Sequence, residues 1–178
     1  MRKNQKKKKA LCIIGARQIG KTTIIREFAK EQYEHFVEIN FILDKGAEKI
    51  FEGKLDANTI IENLTAFKMK ELEPGKTLIL LDEIQECAEA VTSLKFWTQD
   101  QRYDVVATGS GLGMNYRQTS SYPVGNVEYM NMYALDFEEF LWANNVSQDV
   151  IEKVRDCFQK RLLVPHAIHM KLLDYLRR

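Results

Sequence analysis

Gly15-Ala16-Arg17-Gln18-Ile19-Gly20-Lys21-Thr22 stands directly after the apolar run of residues 10–14 (ALCII) and directly before Thr23-Ile24-Ile25. The apolar run has the length of a strand buried on both faces of a parallel sheet, and Gly15 stops it. Ile24, Ile25 and Phe28 then recur at helical spacing through about Lys30. A glycine-flanked loop between a buried strand and a helix is the setting in which this spacing has chemical meaning. Glycines let backbone N–H groups turn toward a phosphate, and the helix N-terminus adds its dipole. A lysine at the position of Lys21 reaches β- and γ-phosphates, and a hydroxyl at Thr22 is a ligand for Mg²⁺. Two glycines, a lysine and a hydroxyl residue at this spacing arise by chance in roughly one chain of this length in a few hundred. Gly15, Ala16, Arg17, Gln18, Ile19, Gly20, Lys21, Thr22 and Thr23 are therefore the candidate nucleotide-binding residues, Lys21 also acting in catalysis.

Outward from this loop the chain keeps alternating. Residues 36–43 read as a second strand. Asp56 can cap a helix whose positions Ala57, Ile60, Ile61, Leu64 and Phe67 share a face, before Pro74 and Gly75 break the pattern. Residues 77–81 form a buried strand, Ala88, Val91, Leu94 and Trp97 an amphipathic helix, and residues 105–107 a strand ending in Thr108, Gly109 and Ser110. Such alternation predicts an α/β fold, a parallel sheet flanked by helices. Residues 111–126 have no clear period and read as a loop bordering the site, followed by a strand through about Leu135. Asp136 and Glu139 fit a capping box, with Leu135 and Phe140 placed as a hydrophobic staple, so a helix should start at Phe137. Val150, Ile151, Val154, Cys157, Phe158 and Leu162 mark a further helix; Ile168, Leu172, Leu173 and Leu176 mark the last. The expected organisation is a core over residues 1–135 and a small helical extension over 136–178. The chain stops while still in pattern, which reads either as a piece cut from a longer protein or as a terminal helix docked on the core.

A second chemical signal stands at Leu78-Ile79-Leu80-Leu81-Asp82-Glu83, an apolar strand ending in adjacent carboxylates. Alone it is a strand entering a polar turn; paired with the loop it is what a Walker B segment presents to magnesium and water. Asp82, with Thr22, is the candidate metal residue, and Glu83 the base that takes the proton of an attacking water. Thr108 and Ser110 end the next strand, where ligands sit in doubly wound sheets, so one hydroxyl could sense a γ-phosphate; ordinary turn chemistry explains the Thr-Gly-Ser-Gly run equally well.

The remaining features narrow the classes. Formal net charge is +1, so the chain as a whole offers no large field for attracting nucleic acid or an anionic membrane. Arg2, Lys3 and residues 6–9 form a basic run, read as a solvated lead-in or else a phosphate-binding arm. Cys12, Cys87 and Cys157 are odd in number and set in apolar contexts, as reduced buried thiols of a cytoplasmic protein would be. No apolar stretch is long enough for a membrane span. His166 and His169 lack the carboxylate or cysteine company of a metal site, His35 has no evident role, and Trp97, Trp142 and Phe140 read as core.

The segments GARQIGKTTIIREFAK, LILLDEIQE, YDVVATGS and MYALDFEEFLWA, in this order, resemble bacterial and archaeal AAA-type ATP-binding proteins. The resemblance implies an AAA-like sheet in which the strand ending at Thr108 lies between the loop strand and the Asp82 strand. It also implies ATP and Mg²⁺ as ligands and a second, nuclease-like C-terminal domain that this chain would lack. Ala134 stands where the family usually has proline, and Arg17, Arg102 and Arg117 each read as surface residues rather than an arginine finger. Three functions follow. The first is an ATP-hydrolysing module that switches or drives a partner domain, with a protein partner or a homo-oligomer open. The second is a binding module for nucleic acid or protein that holds nucleotide structurally. The third is a P-loop phosphotransferase, disfavoured because residues 111–126 hold only Arg117 where a lid needs several arginines.

Overall fold

Five strands, β1 (Ala10–Gly15), β2 (His35–Asn40), β3 (Thr77–Asp82), β4 (Asp104–Ser110) and β5 (Val127–Asn131), form one sheet in the order β2-β3-β4-β1-β5. Every pairing is parallel. The computed structural model describes residues 8–110 and 125–177. Between strands run α1 (Lys21–Gln32), α2 (Ala57–Lys68) and α3 (Ala88–Asp100), with 3-10 turns at Ala47–Phe51 and Ile84–Glu86; α4 (Phe137–Ala143), α5 (Gln148–Gln159) and α6 (His166–Leu176) follow. The chain divides into two compact units, Met1–Tyr133 and Ala134–Arg178.

All six residues of β3 are buried, as a strand paired on both edges and covered on both faces must be. Its side chains alternate between two cores. Ile79 and Leu81 join Cys12, Ile39 and Ala107 under Leu64 of α2 and Leu94 and Trp97 of α3. Leu78 and Leu80 join Ile13 and Val106 under Ile25 and Ala29 of α1. β4 pairs with both β1 and β3, the placement the family resemblance implies. With all strands parallel, the carboxyl ends of β1, β3 and β4 lie along one edge of the sheet, where Gly15, Asp82 and Ser110 stand.

Several sequence expectations give way to local chemistry. β2 stops at Asn40 rather than running to residue 43, because the Asn40 side-chain oxygen accepts from the N–H groups of Ile42 and Leu43 at 3.0 and 2.9 Å. Its carbonyl also accepts from Asp44 N–H at 2.8 Å, and the chain turns. β5 ends at Asn131; Met132 N–H still donates to Ile14 O at 2.7 Å, after which Tyr133 and Leu135 are exposed. On α1, Ile24 and Phe28 are half exposed and only Ile25 and Ala29 carry the apolar packing. The capped starts hold: Asp56 accepts from the N–H groups of Asn58 and Thr59, and Asp136 and Glu139 complete a capping box before Phe137.

In the unit Ala134–Arg178, Leu141, Ile151 and Cys157 are buried, Phe140 packs edge-on against Tyr175 at 6.1 Å, and Arg155 pairs with Glu138. α5 ends at Gln159, short of the expected Leu162, because Arg161 takes a left-handed conformation and Leu162 N–H closes on Cys157 O at 2.8 Å. Trp97 is core, but Trp142 is 47% exposed, its indole N–H donating to Gln148, so that expectation fails for Trp142.

Candidate functional site

The loop between β1 and α1 is shaped by two glycines with different duties. Gly15 closes β1 beneath the Met132 carbonyl: a Cβ there would collide with Met132 O and lie 2.6 Å from Ile19 Cδ1. Gly20 has φ 96°, a left-handed conformation that costs glycine nothing, and Gln18 also turns through positive φ. Ala16, Arg17 and Gln18 form the exposed crest, with Ile19 and Gly20 partly buried and Thr23 exposed on the first turn of α1. The leading N–H groups of α1 have no partner within the helix, which is what makes such a loop an anion cradle.

Lys21 is only 5% exposed. Its Nζ donates to Gly15 O at 3.0 Å and Ala16 O at 2.7 Å, satisfying a buried ammonium with loop carbonyls. The group has three donors, and the same ammonium can serve phosphate oxygens placed in the loop.

Asp82 is the hub. It is 4% exposed and its carboxylate accepts from three side chains of three elements. Thr22 Oγ1 donates to Oδ1 at 3.0 Å, Asn40 Nδ2 donates to Oδ2 at 2.7 Å, and the fully buried Thr108 Oγ1 donates to Oδ1. Asn40 is opposite Asp82 in the β2–β3 register, which explains why it is there. Thr22 spends its one hydrogen on Asp82 and keeps both oxygen lone pairs, so a hydroxyl oxygen and a carboxylate stand together as hard donors. That donor set fits Mg²⁺, which takes one or two protein oxygens and fills its octahedron with water and phosphate. One turn further on, Arg26 forks onto Glu38 of β2 at 2.7 and 2.6 Å, and the pairing raises the guanidinium's affinity for its proton.

Glu83 follows with φ 54° and ψ 47°, left-handed for a residue with a side chain. Two contacts hold it there. Its N–H donates to Thr108 Oγ1 at 3.1 Å, and its Oε2 accepts from Gln85 Nε2 at 2.6 Å. Thr108 therefore sits behind the two carboxylate residues, bonded to both. Ser110 is buried and paired in register with Gly15, at the mouth of the loop.

The structure thus brings Gly15 to Thr23, Asp82, Glu83, Thr108 and Ser110 to one edge of the sheet. Asn40, Arg26 and Gln85 join them without having been singled out from the sequence. The one available signal was Gln85 at two residues from Glu83; Asn40 needed the strand register. His35 pairs instead with Glu73 at 2.9 Å, holding that carboxylate below its usual range, and His166 and His169 lie on α6. Among the described residues no group of three or more His, Cys, Asp or Glu side chains could hold a metal ion. Arg102 is engaged with Asp100 and Asn58; Arg117 and residues 111–124 of the loop expected to border the site lie outside the described residues, as do residues 1–7 of the basic arm. Lys8 of that arm pairs with Asp104 at 3.0 Å.

No curated protein matches the chain. Among solved structures, the chain is similar to one in the structure of Drosophila ORC bound to AT-rich DNA and Cdc6, at 8% identity and a TM-score of 0.43, over 93% of this chain and 75% of that one. Residues 7–141, more than half of the chain, match the family model described as an AAA domain. The chain belongs to the AAA domain family.

Proposed function

We propose that this chain is a Mg²⁺-dependent ATPase that hydrolyses ATP to ADP and phosphate and uses the cycle to switch or drive a partner domain or a second protein. The observation that carries the reading is the hydrogen bond of 3.0 Å from Thr22 to Asp82, which joins the phosphate loop to the carboxylate strand. Glycine turns and acidic strand ends each have bland explanations; their junction through a hydroxyl and a carboxylate does not.

Lys21 exchanges its loop carbonyls for β- and γ-phosphate oxygens, and the leading N–H groups of α1 hold the β-phosphate. Thr22 and Asp82 would hold Mg²⁺, Thr22 through its hydroxyl oxygen and Asp82 by orienting that hydroxyl and accepting from water on the ion, and the ion would supply charge neutralisation at the phosphates. Glu83 takes a proton from a water as its oxygen bonds to the γ-phosphorus and the bond to the β–γ bridging oxygen breaks, leaving ADP and phosphate. A base of this kind contributes about 10²- to 10⁴-fold in rate. Three buried free thiols fit a reducing compartment, and the cytoplasm is the location proposed. Among the described residues no helix is long and apolar enough to cross a membrane.

The test is ATP binding and phosphate release by the parent, Lys21→Ala and Glu83→Gln. The reading expects Lys21→Ala to lose binding and Glu83→Gln to keep binding while losing release. Undiminished ATP affinity in Lys21→Ala would sink the phosphate-site assignment.

A further inference from the structure

Glu83 is reached by a side chain that the hydrolytic scheme above leaves idle. Gln85 belongs to the 3-10 turn Ile84–Glu86, entered through the left-handed Glu83 and anchored in the core by Ile84, 1% exposed. The turn folds Gln85 back, so that its Nε2 donates to Glu83 Oε2 at 2.6 Å and, more weakly, to Glu86 Oε1 at 3.4 Å. Its other end is spent on nothing: Gln85 Oε1 is buried and, among the described residues, has no donor. A buried acceptor without a partner is unfavourable, because it has given up its bond to water. An amide that served only the packing of the turn would satisfy both ends or face water. This one gives its donors to carboxylates and, among the described residues, finds no donor for its acceptor, so the geometry serves Glu83.

We infer that Gln85 is a positioning residue that clamps the carboxylate of Glu83. The inference rests on the assignment of Glu83 as the hydrolytic base. Thr108 fixes the backbone of Glu83 from behind, and Gln85 fixes the carboxylate from the side, so the rotamer-rich glutamate has its two ends held by different elements. A charge-assisted hydrogen bond to an ionised carboxylate is about twice as strong as a neutral one, enough to select one orientation of a side chain with three rotatable bonds. Misplacing a base by an ångström slows the chemical step without loosening the substrate. The signature is therefore a fall in kcat with ATP affinity unchanged.

The experiment measures steady-state phosphate release and ATP affinity for the parent, Gln85→Ala, Gln85→Glu, Glu83→Gln and the double variant Glu83→Gln/Gln85→Ala, with folding checked by circular dichroism. Gln85→Glu keeps the size and shape of the side chain but has no amide donor and sets a like charge against Glu83. The expected result is a loss of about tenfold in kcat for Gln85→Ala. Gln85→Glu loses at least as much, ATP affinity stays within about twofold of the parent, and the double variant is no slower than Glu83→Gln alone. A purely structural role predicts the reverse for Gln85→Glu, recovery by the isostere, and that result overturns the inference. Parental kcat in Gln85→Ala, alongside an inactive Glu83→Gln, overturns the inference and leaves the hydrolytic reading standing. Parental turnover in Glu83→Gln, or none in the parent, removes the hydrolytic reading and the clamp with it.

Discussion

Thr22 and Asp82, separated by 60 positions in sequence, are joined by a 3.0 Å hydrogen bond in which the threonine hydroxyl donates. The bond exists because β1 and β3 flank β4 in one parallel sheet, so the first turn of α1 and the carboxyl end of β3 open onto the same edge. It leaves the hydroxyl oxygen free on its lone-pair side and the carboxylate buried among donors. Asp82→Asn removes the anion from this arrangement, and the proposed metal role then expects the Mg²⁺ concentration for half-maximal turnover to rise about tenfold or more. A Mg²⁺ titration of phosphate release measures it; half-saturation at the parental Mg²⁺ concentration would detach Asp82 from the metal.

Gly15 has no room for a methyl group. A Cβ there would press on the Met132 carbonyl, which is itself held by the Met132 N–H bond to Ile14, so the backbone cannot simply move away. Gly15→Ala is expected to lower stability by about 1–3 kcal/mol, the usual range for overpacking, and to weaken ATP binding as the loop shifts. Urea denaturation reads the first effect directly, and a midpoint equal to the parent's would show that β5 and the loop can separate.

Alkaline pH should weaken the core. Burial pushes the Cys12 thiol from 9.0 up to about 12, and burial together with the hydrogen bond to Asp104 pushes Tyr33 from 10.0 up to about 12. For both groups the folded value lies above the unfolded one, so the unfolded chain releases protons first. Their contribution to stability is complete below about pH 9 and is lost progressively as pH rises toward about 12. Urea midpoints should fall across this window, and Tyr33→Phe should fall less steeply than the parent. Parallel slopes for the two chains would show that Tyr33 is not part of the linkage.

The capping box before α4 gives a local prediction. Asp136 accepts from Glu139 N–H at 2.8 Å while Glu139 accepts from Asp136 N–H at 2.9 Å. Asp136→Ala should remove about 1 kcal/mol from the unit Ala134–Arg178, seen as faster amide hydrogen exchange over α4 with exchange in β3 unchanged. Equal protection of α4 in both chains would contradict it.

The readable parts of this chain are those whose chemistry is local. Gly15, Gly20, Lys21 and Thr22 act through one turn, and Asp82 ends a run too apolar to be anything but a buried strand. Asp56 and Asp136 announce their helices by a side chain meeting a backbone three residues on. Asn40 was illegible because its role comes from standing opposite Asp82, a fact of register, and because its own side chain ends the strand that Ile42 and Leu43 would otherwise prolong. Gln85 carries no role legible in the sequence, since nothing in its neighbours shows that the left-handed Glu83 turns the amide back. Trp142 carries the composition of a core residue on a helix that leaves it half exposed.

The most direct test of the central claim compares phosphate release from Mg·ATP by the parent and by Glu83→Gln, with ATP binding followed in both. The account predicts equal binding and a loss of release of at least about a hundredfold in the variant. Release at the parental rate by Glu83→Gln would contradict it.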